Sequence, residues 1–320
     1  MQDWIEVQIR TKTVEATDIC SFELVDPTGA PLPPFTAGAH VDVQVLPGLT
    51  RQYSLCNKPS ERHRYVIAVL RDPASRGGSR AMHDEIHQGA LIKIGKPRNL
   101  FPLDDKSLNV LLLAGGIGVT PILCMAEQLA EKKARFSLHY CARSAGRMAF
   151  RERIESSAFA NRSVLHFDEG PPSQRLDISM TLAECGSETH IYVCGPTGFI
   201  EWVLGNARQR DWPESRLHRE YFAAPAQAVA QESSFEVQLA RTGKIYTVPP
   251  EKSVAEVLAA HGIDIPVSCE QGVCGTCLTR VLAGEPEHRD TFLTPLERAR
   301  NDQFTPCCSR ARGARLVIDL

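Results

Sequence analysis

The chain has 320 residues, of which 43% are hydrophobic, 23% charged and 7% aromatic, with a formal net charge of -2. That length holds two or three domains with cores of their own and excludes a single small module, and the balance is that of a globular protein without long disordered tracts. A charge so near neutral gives no general electrostatic case for nucleic acid or an anionic membrane, which need concentrated basic surface, so neither is expected as a partner.

Met1–Glu6 has neither a basic n-region nor an apolar h-region, which predicts no secretory signal and a cytoplasmic location. From residue 1 to 105, short β-branched runs alternate apolar and polar residues, as in Ile5-Glu6-Val7-Gln8-Ile9 and Val41-Asp42-Val43-Gln44-Val45. A period of two marks half-buried antiparallel strands. Six such segments, Arg51–Cys56, Tyr65–Arg71 and Leu91–Ile94 among them, predict a small antiparallel β-barrel with almost no helix. In Arg51-Gln52-Tyr53-Ser54-Leu55, alternation puts Arg51, Tyr53 and Leu55 on one face and Ser54 on the other. An arginine beside an aromatic suits an anionic ring system, though an exposed barrel strand with a cation–π pair has the same residues. Arg76-Gly77-Gly78-Ser79 joins a charge, two flexible amides and a hydroxyl, which makes either a phosphate nest or a plain loop.

Over 106–222 the pattern changes to apolar runs alternating with amphipathic stretches: Val110–Ala114, Ile122–Lys132, Phe136–Cys141, Ile191–Cys194 and Phe199–Arg208. Such alternation predicts βαβ units and a parallel sheet. Val110–Ala114 is the longest apolar run and is far too short to span a bilayer. It leads into Gly115-Gly116-Ile117-Gly118-Val119-Thr120-Pro121, a glycine turn with Thr120 placed to cap a helix and Pro121 to open it. Such a turn lets a pyrophosphate approach free N–H groups; it is not the G-x-G-x-x-G pattern, and glycine for packing alone is the competing reading. Cys194-Gly195-Pro196 is a second strand end opening into a helix, where a lone cysteine is more often a small packed hydrophobe.

Residues 223–233, poor in large side chains, read as a linker, and 234–320 as an α+β domain. Phe235–Ala240 and Lys244–Val248 predict a hairpin, Ser253 with Glu256 a capping box for a helix that Gly262 stops, and Leu316–Ile318 a last strand. Eleven cysteines with no secretory signal argue for metal or redox chemistry rather than disulfides. Cys269, Cys274 and Cys277 are spaced C-x4-C-x2-C, with Cys307 thirty residues further on, the pattern of a plant-type [2Fe–2S] cluster. Gly272 and Gly275 let the backbone wrap closely and aim N–H groups at sulfur. Structural zinc is the alternative, but zinc sites usually pair two short-spaced knuckles. Cys308, beside Cys307, is spare.

In this order the motifs resemble those of the phthalate dioxygenase reductase family, whose members supply electrons to Rieske-type oxygenases of aromatic compound catabolism. Arg51–Asn57, Arg76–Ser79, Gly115–Pro121, Cys194–Pro196, the cysteine triplet and Cys307–Ala311 carry the likeness, which spans essentially the whole chain. The resemblance implies an FMN barrel over 1–105, an NAD-binding domain over 106–222 and a ferredoxin domain over 234–320, joined in an NADH-dependent iron–sulfur flavoprotein oxidoreductase. By likeness Arg51, Gln52, Tyr53, Ser54 and Val69 contact the flavin, Ser54 near its reactive N5, and Arg76, Gly77, Gly78 and Ser79 hold the FMN phosphate. Gly115, Gly116, Gly118, Thr120, Pro121, Arg143, Cys194, Gly195 and Pro196 hold the dinucleotide; Arg143 suits a phosphate-bearing ribose and leaves NADPH open. Ser54, Cys194 and Phe222 mark the point of hydride transfer, Phe222 lying against the flavin until nicotinamide displaces it. In the family the cysteine matching Cys307 is followed by x-Ser-Arg. A monomer is expected, with Glu270–Val273 as its docking patch for the oxygenase. The rival readings are a reductase of free flavin or ferric iron, which has no use for the third domain, and a non-enzymatic redox sensor or zinc-bound interaction module.

Overall fold

The computed structural model describes residues 4–73, 75, 77–104, 109–186, 188–222 and 233–320. Arg76 and nearly all of the predicted linker, 223–232, lie outside the described residues. The chain divides into two compact units, Met1–Glu220 and Tyr221–Leu320.

The first unit opens with the predicted barrel: β1 (Trp4–Ala16), β2 (Ile19–Val25), β3 (Ala39–Leu46), β4 (Leu49–Ser54), β5 (Tyr65–Leu70), β6 (Leu91–Gly95) and the short β7 (Arg98–Asn99). The sheet runs β4-β3-β6-β1-β2-β5 with β7 on β3, all antiparallel. A bridge between Leu55 and Ile67 brings its two edges together, which is what turns a sheet into a barrel. Alternation does the sorting on β1, where Val7 and Ile9 are wholly buried while Glu6 and Arg10 are exposed; on β3, Val41 and Val43 are wholly buried and the intervening Asp42 is buried as well. Within residues 1–105 the sequence reading missed one helix, α1 (Gly78–Asp84), too short to show a period. Its last turn is held by Lys12, whose ammonium donates to the carbonyls of His83 and Ile86.

The parallel sheet follows in the same unit: β8 (Asn109–Gly115), α2 (Val119–Glu131), β9 (Arg135–Ala142), α3 (Arg151–Glu155), β10 (Ser163–Phe167), α4 (Ile178–Ala183), β11 (Thr189–Cys194), α5 (Thr197–Arg208) and β12 (Leu217–Glu220). Strand order is β10-β9-β8-β11-β12, and every pairing is parallel. β8 is buried on both faces, the reason it reads as an unbroken apolar run. Order reverses between β8 and β11, so their carboxyl ends form the crevice where open α/β sheets bind ligands. One correction concerns the start of α2. A 3-10 turn over Gly116–Gly118 runs straight into it, Gly118 stands at the cap, and Thr120 and Pro121 fall inside the first turn. The Thr120 hydroxyl donates back to the Ile117 carbonyl at 3.0 Å instead of capping, and Pro121 is tolerated because N–H groups of the first turn have no intrahelical acceptor. Barrel and parallel sheet share one continuous core, with Phe101 of the connection tilted against Tyr192 of β11 at 5.7 Å.

The second unit contains β13 (Phe235–Leu239), β14 (Ile245–Val248), α6 (Val254–Ala260), β15 (Thr279–Ala283), β16 (Pro286–Glu287), α7 (Pro295–Arg300), β17 (Gln303–Phe304), β18 (Arg310–Ala311) and β19 (Arg315–Ile318). Its main sheet is ordered β14-β13-β19-β15-β17, beside a β16–β18 pair. The predicted hairpin forms as β13–β14, with Phe235 opposite Val248, and the Ser253–Glu256 capping box is formed reciprocally. Thr294 and Glu297 cap α7 in the same way. Among the described residues no helix is long and apolar enough to cross a membrane.

Candidate functional site

The crevice between β8 and β11 is made by backbone touching backbone. A Cβ on Gly118 would stand 2.3 Å from the Cys194 carbonyl oxygen, and one on Gly195 would stand 3.0 Å from Gly115 Cα. Gly115 itself has no room because the Phe199 ring and Pro196 close over it, at 2.9 and 3.0 Å from an added Cβ. Gly116 differs: space around it is open, but its φ of 53° is the left-handed conformation that glycine adopts without strain. In this crevice glycine stands where the neighbouring strand end or a left-handed turn leaves no place for a side chain.

Three groups meet beside this crevice. Cys194 is wholly buried, and burial followed by the neighbouring Glu220 carboxyl pushes its thiol well above the ordinary range, which keeps the proton on sulfur. Glu220 pairs with Cys194 in the β11–β12 register, and the Ser54 hydroxyl from the barrel donates to its carboxyl. Burial nevertheless raises Glu220 to about 8. Its second oxygen, Oε2, is buried with no hydrogen-bond partner, the kind of orphan that a bound polar ring would satisfy. The sequence reading did not single out Glu220, although it stands directly before Tyr221 and Phe222. Phe222 itself belongs to the second unit, where it is 37% exposed.

On β4, Ser54 is buried while Arg51, Gln52 and Tyr53 are half-buried. Gln52 donates to Asp42, which Arg98 also grips through both carboxylate oxygens at 2.8 and 2.7 Å, fixing the strand edge. Arg51 leans over the turn into α1: a Cβ on Gly78 would come within 2.6 Å of its side chain. Gly77 is left-handed at φ 94°, and the Ser79 hydroxyl accepts the Asp72 N–H at 3.2 Å, keeping its own proton to give. Arg51, Gly77, Gly78 and Ser79 therefore converge as a phosphate cradle would. Val69 has its side chain in the barrel core and its carbonyl bound to His83. Arg143 is exposed at the end of β9, where its carbonyl accepts the Glu169 N–H.

In the second unit the Cys269, Cys274, Cys277 and Cys307 side chains are buried at 8, 7, 2 and 9% exposure. The thiol of Cys269 is within hydrogen-bonding reach of Cys274 and Cys307, and that of Cys277 reaches Cys307. Cys269 with Cys274 and Cys277 with Cys307 thus make two adjoining pairs, which fits one iron to each pair of a binuclear cluster. Those thiol contacts, and then N–H groups of Gln271 and Val273, push Cys269 down. Thr276 N–H points at Cys274 sulfur from 3.4 Å, as cluster sulfurs require. Gly272 and Gly275 are left-handed, at φ 72° and 67°. An added Cβ would strike Asp290 and Cys308 at the first and the Phe292 ring at the second, so the obstruction comes from neighbouring chain. The Cys308 thiol also reaches Cys307, and its Sγ lies 3.3 Å from the Thr305 hydroxyl. Ser309 accepts the Arg289 N–H, and buried Arg310 donates to the carbonyls of Ser233, Pro249, Pro250 and Lys252, anchoring the segment that bears Cys307.

Comparison with known proteins gives a consistent picture. A family model described as "2Fe-2S iron-sulfur cluster binding domain" matches residues 237–312, and one described as "Oxidoreductase NAD-binding domain" matches 112–204. Vanillate O-demethylase oxidoreductase of Pseudomonas putida is 56% identical over 317 residues, 99% of this chain and 100% of the relative. Phthalate dioxygenase reductase of Burkholderia cepacia is 40% identical over 318 residues, 99% of this chain and 98% of the relative. A solved structure described as "phthalate dioxygenase reductase: a modular structure for electron transfer from pyridine nucleotides to [2Fe-2S]" aligns with a TM-score of 0.80 at 40% identity, over 99% of this chain and 98% of that one.

Proposed function

Because the chain belongs to the phthalate dioxygenase reductase family, we propose that it is the reductase component of a two-component Rieske-type oxygenase of the aromatic O-demethylase or ring-dioxygenase kind. It is an NADH-dependent iron–sulfur flavoprotein oxidoreductase that passes electrons through FMN and a [2Fe–2S] cluster to an oxygenase. The observation that carries the reading is two adjoining pairs of buried thiols in a chain that also builds a dinucleotide crevice.

When bound, FMN supplies the conversion of hydride into single electrons, and the cluster carries them one at a time. The chain supplies alignment and exclusion of water, which make transfer between two held rings effectively unimolecular. The paired glycine ends of β8 and β11 admit the dinucleotide backbone, and Arg143 faces its adenosine end. Arg51, Arg76, Gly77, Gly78 and Ser79 hold the FMN phosphate, while Gln52, Tyr53 and Val69 border the flavin. At neutral pH Glu220 keeps a proton on its carboxyl, with Ser54 donating to it, and so presents a neutral hydrogen-bonding wall beside the reacting rings. Phe222 is the aromatic that yields to nicotinamide. Cys269, Cys274, Cys277 and Cys307 ligate the cluster, and Glu270–Val273 meets the oxygenase. The reading takes 1–105, 106–222 and 234–320 as the three domains and has the protein work as a cytoplasmic monomer, in keeping with its eleven free thiols. Replacing Cys274 with Ser tests the division of labour. Reduction of the oxygenase is lost and NADH-dependent reduction of a dye is kept; equal loss of both contradicts the reading.

A further inference from the structure

Behind the cysteine loop lies a group of buried polar side chains that the proposed reaction does not use. The His288 and Asp290 side chains are 7% and 0% exposed. Among the described residues, His288 Nδ1 and Nε2, Asp290 Oδ1 and Arg298 Nε are all buried without a hydrogen-bond partner. Buried polar groups are nearly always paired, so four orphan atoms in one place require a cause. Their neighbours are charges held just beyond hydrogen-bonding distance. His288 Nδ1 is 3.6 Å from Asp290 Oδ1, and Arg298 Nη2 is 3.8 Å from Asp290 Oδ2. Asp290 Oδ2 accepts the Leu293 N–H at 2.7 Å, and Arg298 also donates to the Asp290 carbonyl. The imidazole and the carboxylate therefore face each other as the two halves of an ion pair would. The other histidine of this unit, His261, is engaged already, with Nδ1 2.8 Å from the Val257 carbonyl.

This group is fixed to the loop that carries the thiols. Thr291 N–H donates to the Gly272 carbonyl at 2.9 Å, and Gly272 is packed so closely that an added Cβ would stand 2.8 Å from Asp290 Cα. The elements packed around His288 contribute few other charges. On its own segment Glu287 and Arg289 pair with each other at 3.0 Å. On α7, Glu297 is occupied by its cap and Arg298 faces Asp290. Arg310 on β18 is bound to carbonyls, the Cys308 thiol contacts Cys307 and Thr305 and feels the Asp290 carboxylate, and Glu270 lies on the cysteine loop.

We propose that His288 takes up a proton when the neighbouring cluster is reduced and releases it when the electron leaves for the oxygenase. This rests on the [2Fe–2S] reading given above. The balance is one electron from the flavin to the cluster and one proton from water to the imidazole, both surrendered on reoxidation. The physical cause is charge compensation: an electron added in a low-dielectric interior is stabilised by a proton that also completes the His288–Asp290 pair. The cluster potential then depends on pH, and electron delivery is coupled to proton movement beside the cysteine loop.

The test is a redox titration of the intact holoprotein, following the paramagnetic signal of the reduced cluster at several values between about pH 5.5 and 8.5, the range in which histidine titrates. The midpoint is expected to fall as pH rises, and His288→Gln to abolish that slope while keeping the cluster's visible spectrum. A flat midpoint in the unaltered protein, or the same slope in His288→Gln, overturns the proposal. If His288→Gln does not hold its cluster, reduced-minus-oxidised infrared spectra of protein labelled in the histidine ring decide the matter: imidazolium bands on reduction support it and their absence overturns it. A protein with no [2Fe–2S] signal at all would sink the cluster assignment instead.

Discussion

Gly118→Ala tests whether the dinucleotide crevice depends on direct backbone contact. The added Cβ would lie 2.3 Å from the Cys194 carbonyl oxygen, 2.4 Å from the carbonyl carbon and 2.5 Å from Gly195 N. Non-bonded carbon contacts settle near 3.5 Å, so the ends of β8 and β11 have to part by about 1 Å. None of the three atoms is a side-chain tip that turns aside. Overpacking of this kind costs about 1–3 kcal/mol of stability, which a two-sheet core of this size survives. A displacement of about 1 Å at the reacting geometry costs on the order of 100-fold in rate. Stopped-flow reduction of the flavin by NADH should therefore slow by about that factor, with the visible spectrum of the cluster unchanged. Gly116→Ala is the control: its Cβ meets nothing within 4 Å, and only the φ of 53° is unfavourable. That costs about 1–2 kcal/mol and leaves the rate within a few-fold. Wild-type flavin reduction in Gly118→Ala would refute the argument.

Other expectations concern pH and the cysteine loop. Glu220 lies near 8 in the folded chain against an ordinary 4.5, so the native state binds more protons between these values and stability falls as pH rises through them. In urea unfolding, Glu220→Gln should remove that loss, and an unchanged pH dependence would count against the buried acid. His139 and His218 behave oppositely: burial, then a stacked histidine partner on the next strand, pushes each down to about 4 from an ordinary 6.5. Here the unfolded chain binds more protons, so stability present above about pH 6.5 is lost as pH falls through 4, and His139→Gln should soften the acid transition. In the cysteine loop, Gly272→Ala meets the backbone of Asp290, whereas Gly275→Ala meets only the tip of the Phe292 ring. Iron and sulfide retained per chain should therefore drop further in Gly272→Ala than in Gly275→Ala, and the reverse order would show that Phe292 cannot swing aside.

What the sequence disclosed depended on how far apart the cooperating residues lie. The cysteine triplet, the Ser253–Glu256 cap and the β13–β14 hairpin are each complete within about fifteen residues, so spacing alone identifies them. The unbroken run of β8 was legible because a strand covered on both faces cannot afford polar residues. The meeting of Ser54, Cys194 and Glu220 was not legible, since it joins a barrel strand to the ends of two sheet strands and no local pattern encodes that contact. The orphan group at His288, Asp290 and Arg298 is hidden for the same reason: in sequence it is ordinary surface composition, and only burial gives it meaning. α1 escaped because seven residues do not establish a period, and Thr120 was misplaced because a 3-10 turn can hand over to an α-helix without a side-chain cap.

Glycine carries two different physical messages in this chain, and they separate the chemistry of its two units. At Gly118 and Gly195 the backbone is unstrained, and the constraint is the neighbouring strand end, so these positions report how two strands are held for a shared ligand. At Gly272 and Gly275 the constraint is double, a left-handed φ together with a crowded neighbour, because the loop must turn inward to bring thiols and N–H groups onto one small volume. Substitutions of the first kind should act on rate through geometry and leave cofactor content alone. Substitutions of the second kind should act on cofactor content, because a loop that cannot turn inward cannot bring four thiols together.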